Sequence, residues 1–399
     1  MNIKINKGRA SGKIKAPPSK SYAHRLLICA ALANGNSKID GIINSDDMQA
    51  TLNCISALGL KYEKKGEEVC IYGGNFNNSH RSYNCLESGS TLRFFIPIAL
   101  ALGTNAKFIG TERLITRGIS VYEEIFKEKG IEIKKTNTEI ELSGALISGE
   151  YRLAGNVSSQ FISGLLFALP LLNGDSKIVI TTELESKNYV DITIDALKKF
   201  GVLVTCEKNV IYIKGNQKYL PQIISVEGDA SNSAFLDVFN FLGGDVSVLG
   251  LNCDTIQPDY IYKKYFEELN NGTPTLSLAN CPDLGPVCFA LASLKNGARF
   301  TDTKRLAIKE SNRAEAMASE LEKLGGTVRV YENEVIVHKI ENIKENMELF
   351  CHNDHRIAMA LSLVLSTCGG TLLECECVKK SYPHFFEDIS ALGILCKEA

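Results

Sequence analysis

Two cations and a hydroxyl stand at the start of a long apolar segment near the N-terminus. Lys20, Ser21 and Arg25 occupy the stretch 17-PPSKSYAHRLLICAALANG-35, and Ser21 and Arg25 would share one face of a helix. The start of a helix carries unpaired backbone N–H groups and the positive end of the helix dipole, which suits a phosphate or a carboxylate. We interpret this segment as an anion-binding helix start. Taken alone, it fits a serine cap with Arg25 paired to an acid equally well.

Polar residues open several later apolar segments in the same way. The candidates there are Gly89 in 88-SGSTLRFFIPIALAL-102, Ser158, Ser159 and Gln160 in 158-SSQFISGLLFALPLL-172, and Arg356 in 353-NDHRIAMALSLVL-365. Any one of these serines could be a simple helix cap. Several polar helix starts in repeated positions, converging on one cleft, indicate an anion site.

Further candidates lie in loops and helix entries. They are Arg117 in 113-RLITRGIS-120, Asp283 after Cys281-Pro282, Lys309, Glu310 and Arg313 in 308-IKESNRAEAM-317, and Lys380 in 379-KKSYPHFF-386. Taken alone, Asp283 would be a helix cap. An acid and two cations can share one helix entry at residues 309–313. For an isolated KESNR motif, a solvated face of salt bridges is the simpler explanation than catalysis.

These residues must be positioned by helices and strands, which recur in one order along the chain. Six times, a polar stretch opens an apolar helix, which is followed by a β-rich stretch, an amphipathic helix and a polar hairpin. The glycines that end the amphipathic helices are Gly59, Gly130, Gly201, Gly272, Gly325 and Gly393. We predict six such units, with the sixth lacking its hairpin because the chain ends. The N-terminal strand 1-MNIKINKG-8 can supply the missing pairing.

Three buried helices per domain, surrounded by sheets, predict two similar domains. The first is expected to be discontinuous and to comprise residues 1–14 plus 226–399. The second is expected to comprise residues 15–225. The fold class is therefore α/β.

The composition describes a large globular protein without a strong charge bias. The chain has 399 residues, of which 44 are Lys or Arg and 46 are Asp or Glu. This balance does not favour a nucleic-acid or membrane partner, so locally placed cations must hold any bound anion. The cysteines form no Cys-x-x-Cys pair, which argues against a metal site. With no signal peptide or long apolar run, a cytoplasmic protein is expected.

In combination, ten segments resemble the EPSP synthases (3-phosphoshikimate 1-carboxyvinyltransferases). In chain order they are PPSKSYAHR, ESGSTLRF, the loop of Arg117, NVSSQF, ESKNYVDIT, VEGDAS, Pro282-Asp283, IKESNR, NDHRIAMA and KKSYPHFF. The resemblance spans nearly the whole chain. It implies a two-domain inside-out α/β barrel of six repeated βαβαββ-like units, three per domain, with the active site in the interdomain cleft.

The same resemblance implies a reaction. The enolpyruvyl group of phosphoenolpyruvate is transferred to the 5-hydroxyl of shikimate 3-phosphate, and phosphate is released, as a step of aromatic amino acid biosynthesis. The two substrates are the expected partners, the expected assembly is a monomer, and neither a cofactor nor a metal is expected.

Roles for individual residues also follow from the resemblance. The expected catalytic residues are Asp283, which takes the proton of the attacking hydroxyl, Glu310, which exchanges a proton with the methylene carbon, and Lys20. The expected contacts of shikimate 3-phosphate are Lys20, Ser21, Arg25, Ser158, Ser159, Gln160, Ser186, Asp283 and Lys309. The expected contacts of phosphoenolpyruvate are Lys20, Gly89, Arg117, Gln160, Arg313, Arg356 and Lys380.

Two other functions share parts of this pattern. The enolpyruvyl transferases that act on UDP-N-acetylglucosamine share the fold. They generally carry a reactive Cys or Asp in the loop before their arginine, and 110-GTERLITRGIS-120 has neither. A non-catalytic anion-binding repeat protein is the second alternative. Such a binder would need the cations but not Asp283 and Glu310.

Overall fold

Helices and strands alternate along the chain in the computed structural model, which describes residues 1–76, 82–103 and 105–399. The described strands are β1 (Ile3–Ile5), β2 (Ser11–Lys15), β3 (Asn36–Asp40), β4 (Lys61–Lys65), β5 (Glu68–Tyr72), β6 (Ser82–Asn84), β7 (Asn105–Ile109), β8 (Glu132–Lys135), β9 (Glu139–Ser143), β10 (Glu150–Leu153), β11 (Ser176–Ile180), β12 (Val204–Glu207), β13 (Val210–Ile213), β14 (Ile223–Ser225), β15 (Asp245–Leu249), β16 (Thr275–Ser277), β17 (Ala298–Thr301), β18 (Val328–Val330), β19 (Glu334–Val337), β20 (Met347–Phe350), β21 (Gly370–Leu373) and β22 (Cys396–Glu398). The described helices are α1 (Lys20–Leu32), α2 (Asp46–Ala57), α3 (Gly89–Leu102), α4 (Glu112–Thr116), α5 (Ser120–Glu128), α6 (Ser159–Ala168), α7 (Lys187–Lys199), α8 (Ala230–Asp237), α9 (Tyr262–Asn271), α10 (Gly285–Leu294), α11 (Arg313–Lys323), α12 (His355–Cys368) and α13 (Phe385–Ala391). The predicted α/β class is confirmed.

The chain divides into two compact units. The first unit comprises Met1–Ser19 together with Gly228–Ala399, and the second comprises Lys20–Glu227. The two crossovers between the domains are predicted near residues 14 and 225. Each unit contains its own hydrophobic core.

Within the residues that the structure describes, the second unit contains three four-stranded sheets with one common strand arrangement. Their orders are β14-β3-β5-β4, β6-β7-β9-β8 and β10-β11-β13-β12. In each sheet the first two strands run parallel and the last two form an antiparallel hairpin. A buried helix, α3 or α6, joins the parallel strands of the last two sheets, because parallel neighbours need a crossover connection.

The first unit repeats this arrangement with two variations. The sheet β16-β17-β19-β18 is complete, and the sheet β20-β21-β1-β22 uses the N-terminal strand in its third position. Strand β1 pairs antiparallel with both β21 and β22, so the predicted closure of the sixth unit by the N-terminus is confirmed.

The sixth repeat ends with the single strand β22 after α13, so it lacks its own hairpin, as predicted. A second repeat, which was expected to have a hairpin, differs from the prediction, since β15 pairs in parallel with β2 in a sheet that has two strands among the described residues. The chain after α9 enters β16, which pairs with β17 of the following repeat. No hairpin is therefore formed after α9.

The helices of the two units fall into the two predicted kinds. The helices α1, α3, α6, α8, α10 and α12 are buried almost all round, and the amphipathic helices include α2, α5, α7, α9 and α11. Helix α6 is shorter than predicted, since the chain tightens to a 3-10 turn at Pro170, whose ring cannot donate a backbone hydrogen bond. Within the described residues, no helix is both long and apolar enough to cross a membrane.

Glycine ends the amphipathic helices as the sequence predicts. Gly59, Gly130 and Gly201 have φ values of 83°, 70° and 80°, in the left-handed region that favours glycine after a helix. Gly272 differs, with φ of −179°, and it follows α9 in the repeat without a hairpin.

Candidate active site

The start of α1 carries Lys20, Ser21 and Arg25, as predicted. The Nζ atom of Lys20 lies 3.0 Å from Oδ2 of Asp47, which belongs to the first turn of α2. The lysine side chain is 16% exposed and the aspartate side chain 8%, so the pair is partly shielded from solvent. A shielded aspartate therefore fixes the ammonium group of Lys20 at a helix start.

Arg25 is buried in the second unit and holds several elements together. It makes four hydrogen bonds, from Nε to Oγ1 of Thr193 (2.7 Å), from Nη1 to the carbonyl of Ser21 (2.7 Å), and from Nη2 to Oγ of Ser163 (3.4 Å) and the carbonyl of Tyr189 (3.0 Å). None of these four acceptors is a carboxylate, so the alternative that Arg25 simply pairs with an acid finds no support in these bonds. Burial lowers the pKa of Arg25 to about 10, which leaves the side chain charged at neutral pH.

Gln160 links two helix starts through its side-chain amide. Its Oε1 atom accepts a 2.6 Å hydrogen bond from Nη1 of Arg93, and its Nε2 atom donates to Oγ of Ser90 at 2.9 Å. Arg93 also donates to the carbonyl oxygen of Gly118 at 3.2 Å. The amide of Gln160 therefore joins the first turns of α3 and α6 to the loop that carries Arg117.

Gly89 lies against two guanidinium groups. A methyl group built on Gly89 would stand 3.1 Å from Nη1 of Arg93 and 3.3 Å from Nη2 of Arg117. Two buried atoms of Arg117, Nε and Nη1, have no hydrogen-bond partner among the described residues. Because unsatisfied charged donors are costly when buried, this arrangement fits an anion.

The predicted serines occupy the starts of α6 and α7. Ser158 is the cap of α6, where its Oγ accepts from the backbone N–H of Gln160, and Ser159 is buried in the first turn. Ser186 is buried immediately before α7 and has φ of 54°, an uncommon backbone conformation for serine. Such strain is typical of functional sites.

Asp283 faces three cations in the first unit. Its Oδ1 atom lies 2.7 Å from Nη1 of Arg313 and 3.2 Å from Nζ of Lys309, and its Oδ2 atom lies 3.2 Å from Nη2 of Arg356. Its side chain is 21% exposed, so the carboxylate can still be reached from outside the cluster. Asp283 is therefore part of a charge cluster and not an isolated helix cap.

Arg313 joins the two predicted proton-transfer acids. Its Nη2 atom donates to Oε2 of Glu310 at 2.7 Å, while Nη1 bonds Asp283. Its Nε atom donates to Oδ2 of Asp354 at 2.8 Å. The side chain of Arg313 is 1% exposed, which excludes the alternative of a solvated salt-bridge face for this motif.

The remaining predicted cations of the first unit are also buried. Arg356 lies in the first turn of α12, and its Nε and Nη1 atoms have no hydrogen-bond partner within residues that the structure describes. Lys380 is 5% exposed at the end of a short 3-10 helix. Arg356 thus offers donors that suit an anion.

The charge cluster shifts the protonation equilibria of its members. Burial by itself raises the pKa of Asp283, but the three facing cations outweigh it and hold the pKa well below its usual range. Burial lowers the pKa of Lys309 to about 8, although Asp283 opposes this shift. Asp283 is therefore ionised at neutral pH, and Lys309 is close to the pH at which it loses its charge.

Several partners of the predicted residues were missed by the sequence analysis. They are Asp47, Ser163, Thr193 and Asp354. Asp354 carried a signal, because it stands in the polar start of α12. Thr193 and Ser163 carried none, since they lie within helices and meet Arg25 only through the packing of the unit.

Comparison with known protein families identifies the family of this chain. The family model of EPSP synthase (3-phosphoshikimate 1-carboxyvinyltransferase) matches residues 5–389. The 3-phosphoshikimate 1-carboxyvinyltransferase of Clostridium kluyveri is 44% identical over 414 residues, covering 98% of this chain and 97% of the relative. The corresponding protein of Clostridium beijerinckii is 41% identical over 423 residues, with the same coverage of both chains.

Solved structures share the fold. The EPSP synthase of Acinetobacter baumannii superposes with a TM-score of 0.81 at 22% identity, covering 99% of each chain. The enolpyruvyl transferase NikO of Streptomyces tendae also gives a TM-score of 0.81, at 13% identity, covering 100% of this chain and 98% of that one. With the match of the family model and of relatives at more than 40% identity, these results show that the chain belongs to the EPSP synthase family.

Proposed function

We propose that the chain transfers the enolpyruvyl group of phosphoenolpyruvate to the 5-hydroxyl of shikimate 3-phosphate and releases phosphate. Membership in the EPSP synthase family and the names of its relatives support this reaction. The observation that carries the residue assignment is the bridge formed by Arg313 between Asp283 and Glu310. The reaction belongs to the shikimate pathway, and we propose that the protein works as a cytoplasmic monomer.

The phosphate of shikimate 3-phosphate is assigned to helix starts of the second unit. Lys20 and Ser21 supply an ammonium group and a hydroxyl at the first turn of α1, where the helix dipole favours an anion. Arg25 orders this turn through its bond to the carbonyl of Ser21 and adds positive charge. Further assigned contacts of this substrate are Ser158, Ser159, Gln160, Ser186, Asp283 and Lys309.

Phosphoenolpyruvate carries both a phosphate and a carboxylate, and the cations with unpaired donors are assigned to it. Arg117 and Arg356 present buried guanidinium atoms that lack partners in the described part of the chain. Gly89 leaves space beside Arg117 that a side chain would fill. Lys20, Gln160, Arg313 and Lys380 complete the assignment.

Asp283 and Glu310 are assigned the proton transfers. In the addition step, the 5-oxygen bonds to the central carbon of phosphoenolpyruvate, Asp283 takes the hydroxyl proton, and Glu310 gives a proton to the methylene carbon. In the elimination step, that carbon returns a proton to Glu310 and phosphate leaves with the proton held by Asp283. Both carboxyl groups thereby return to their starting states.

The low pKa of Asp283 belongs to the unliganded protein, and by itself it would hinder the proposed proton transfer. With three cations facing it, the carboxylate is a weak base. Bound phosphate and carboxylate groups would share the charge of the same cations, so the pKa of Asp283 should rise when both substrates are present. Substrate binding would thus activate the base.

Phosphate release tests the proposed reaction. Phosphoenolpyruvate is incubated with the protein and either shikimate 3-phosphate or UDP-N-acetylglucosamine, and free phosphate is measured. Release with shikimate 3-phosphate alone is expected. Release with the UDP-sugar instead would show the sister activity, and no release with either acceptor from folded protein would favour a non-catalytic binder.

A further inference from the structure

Glu320 is a buried carboxylate in α11 that none of the roles above uses. Its side chain is 2% exposed. One oxygen accepts the backbone N–H of Phe350 at 2.9 Å, and the other lies 2.8 Å from Nε2 of His352. Lys323, one turn further along the helix, lies 2.7 Å away. Burying a carboxylate is costly unless it is bonded, so this set of contacts holds the surrounding chain to α11.

The segment that Glu320 contacts is a strained turn. Residues 351–354 connect β20 to α12, and the N–H of Asp354 donates to the carbonyl of Cys351 at 3.0 Å. His352 and Asn353 have φ values of 52° and 51°. Two successive residues with positive φ are typical of a type I′ turn, which favours Asn-Gly and is strained for a histidine. The turn therefore needs contacts with surrounding residues to keep this backbone conformation.

Helix α11 contacts this turn at two points. Arg313, at the first position of the helix, bonds Asp354 at the end of the turn. Glu320 bonds the start of the turn seven residues later along the helix. Seven residues make about two helical turns, so both side chains leave the same face of α11. The turn is thereby fixed at both ends.

We propose that Glu320 is a positioning residue for the first unit's part of the active site. By holding the left-handed turn against α11, it sets the position of Asp354, which bonds Arg313, and of Arg356, which bonds Asp283. The expected effect on the KM for phosphoenolpyruvate rests on the proposed function, whereas the holding of the turn by Glu320 does not.

The variant Glu320→Gln tests the proposal, because it keeps the shape of the side chain but removes the charge. We expect the KM for phosphoenolpyruvate to rise about tenfold, because small misplacements of binding groups weaken binding. The Kd of shikimate 3-phosphate should stay within about twofold of the wild-type value, because the residues assigned to its phosphate lie in the second unit. In the unliganded protein, the amide of Asp354 should exchange faster with solvent.

A second substitution distinguishes a local role from general destabilisation. Asn353→Gly relieves the strain of the left-handed turn, so adding it to Glu320→Gln should restore the KM for phosphoenolpyruvate at least partly. Asp237→Asn is the matched control. That carboxylate is also largely buried in the first unit and bonds the hydroxyl of Tyr262, outside the assigned site. It should lower the melting temperature without changing the KM.

Each outcome has a defined meaning. If Glu320→Gln lowers the melting temperature as Asp237→Asn does, and leaves both the KM and the exchange of Asp354 unchanged, the proposal is wrong. If Glu320→Gln does not fold, His352→Ala carries the same test with an expected change of about threefold. If the wild type releases no phosphate, the proposed function fails, and the exchange measurement still decides whether Glu320 holds the turn.

Discussion

The guanidinium group of Arg313 bonds three carboxylates at once, which links the two proposed acid–base groups of the first unit to Asp354. Asp283 and Glu310 occupy its terminal nitrogens, and Asp354 bonds its Nε atom. Burial lowers the pKa of Arg313, but these carboxylates more than compensate and raise it above its usual range. Arg313 therefore remains charged and keeps the two proposed proton carriers at a fixed separation.

Lys309 should give the reaction a pH dependence on the basic side. Burial lowers the pKa of its ammonium group to about 8, so the charge is present at pH 7 and is lost as the pH rises through that value. Arginine stays charged over this range, so Lys309→Arg should move the basic limb of the pH profile upward. The measurement is kcat/KM between about pH 6 and pH 10. An unchanged basic limb in the variant would mean that another group causes it.

Gly89 should be intolerant of any side chain. In Gly89→Ala the new methyl group would approach Arg93 and Arg117 to 3.1 Å and 3.3 Å, so these guanidinium groups must shift. We expect the KM for phosphoenolpyruvate to rise about tenfold. Gly272→Ala is the control, because a methyl group there meets no atom of the described residues within 4 Å and the backbone is extended. Equal KM values for phosphoenolpyruvate in the two variants would show that the space beside Gly89 is not needed for binding.

The residues of the candidate site carry a signal in the sequence, but their supporting contacts do not. Lys20, Asp283 and Arg356 stand in polar stretches before apolar segments, which is a local pattern. Thr193, which bonds Arg25, lies in the middle of α7 and has no local signature. Such partners depend on how helices pack, and packing is not encoded in any short segment.

At the scale of elements, the repeat is maintained even where a hairpin is missing. Strand β15 has no antiparallel neighbour among the described residues, and the side chain of Asn240 takes over part of that role. Its Nδ2 atom donates to the carbonyl of Val246 at 2.8 Å, and its Oδ1 atom accepts the N–H of Val246 at 2.6 Å. An amide side chain thus satisfies one residue of an open sheet edge, as a neighbouring strand would.

Removing this amide should weaken the first unit. Asn240→Ala leaves both backbone groups of Val246 without these bonds, and we expect the free energy of unfolding to fall by about 1 kcal/mol. Urea denaturation measures the change, with Asn342→Ala, at another exposed position of the first unit, as the control. Equal stability of the two variants would contradict this role for Asn240.

Periodicity predicts the helices, most hairpins and the missing hairpin of the sixth repeat, but not the missing hairpin after α9. The glycine spacing placed the end of α9 correctly, yet the following segment 273–280 resembled a strand whose partner could not be known. The structure pairs its strand β16 with β17, in the next repeat. Strand pairing depends on residues that are distant in sequence, so the pattern predicts the strand but not its partner strand.

At the scale of the whole molecule, the N-terminus belongs to a sheet made from the C-terminal end of the chain. Ile3 and Ile5 of β1 are buried, and the strand lies between β21 and β22. The first unit is therefore completed by residues that are distant in sequence, as the repeat predicts.

Deleting residues 1–6 should destabilise the first unit and leave the second unchanged. The deletion removes two strand pairings and two buried isoleucines, a loss of about 3–5 kcal/mol. Lys4→Ala, which alters an exposed side chain of the same strand, is the control. Hydrogen exchange during urea unfolding reports each unit separately. Equal destabilisation of both units would contradict this division.

The most direct test of the whole account is the rate of phosphate release by Asp283→Ala with phosphoenolpyruvate and shikimate 3-phosphate. Removing a proposed general base should lower kcat by about 10²–10⁴-fold, while the variant still binds shikimate 3-phosphate. That result would support the proton transfers assigned to the charge cluster around Arg313. A kcat within about threefold of the wild-type value would contradict them.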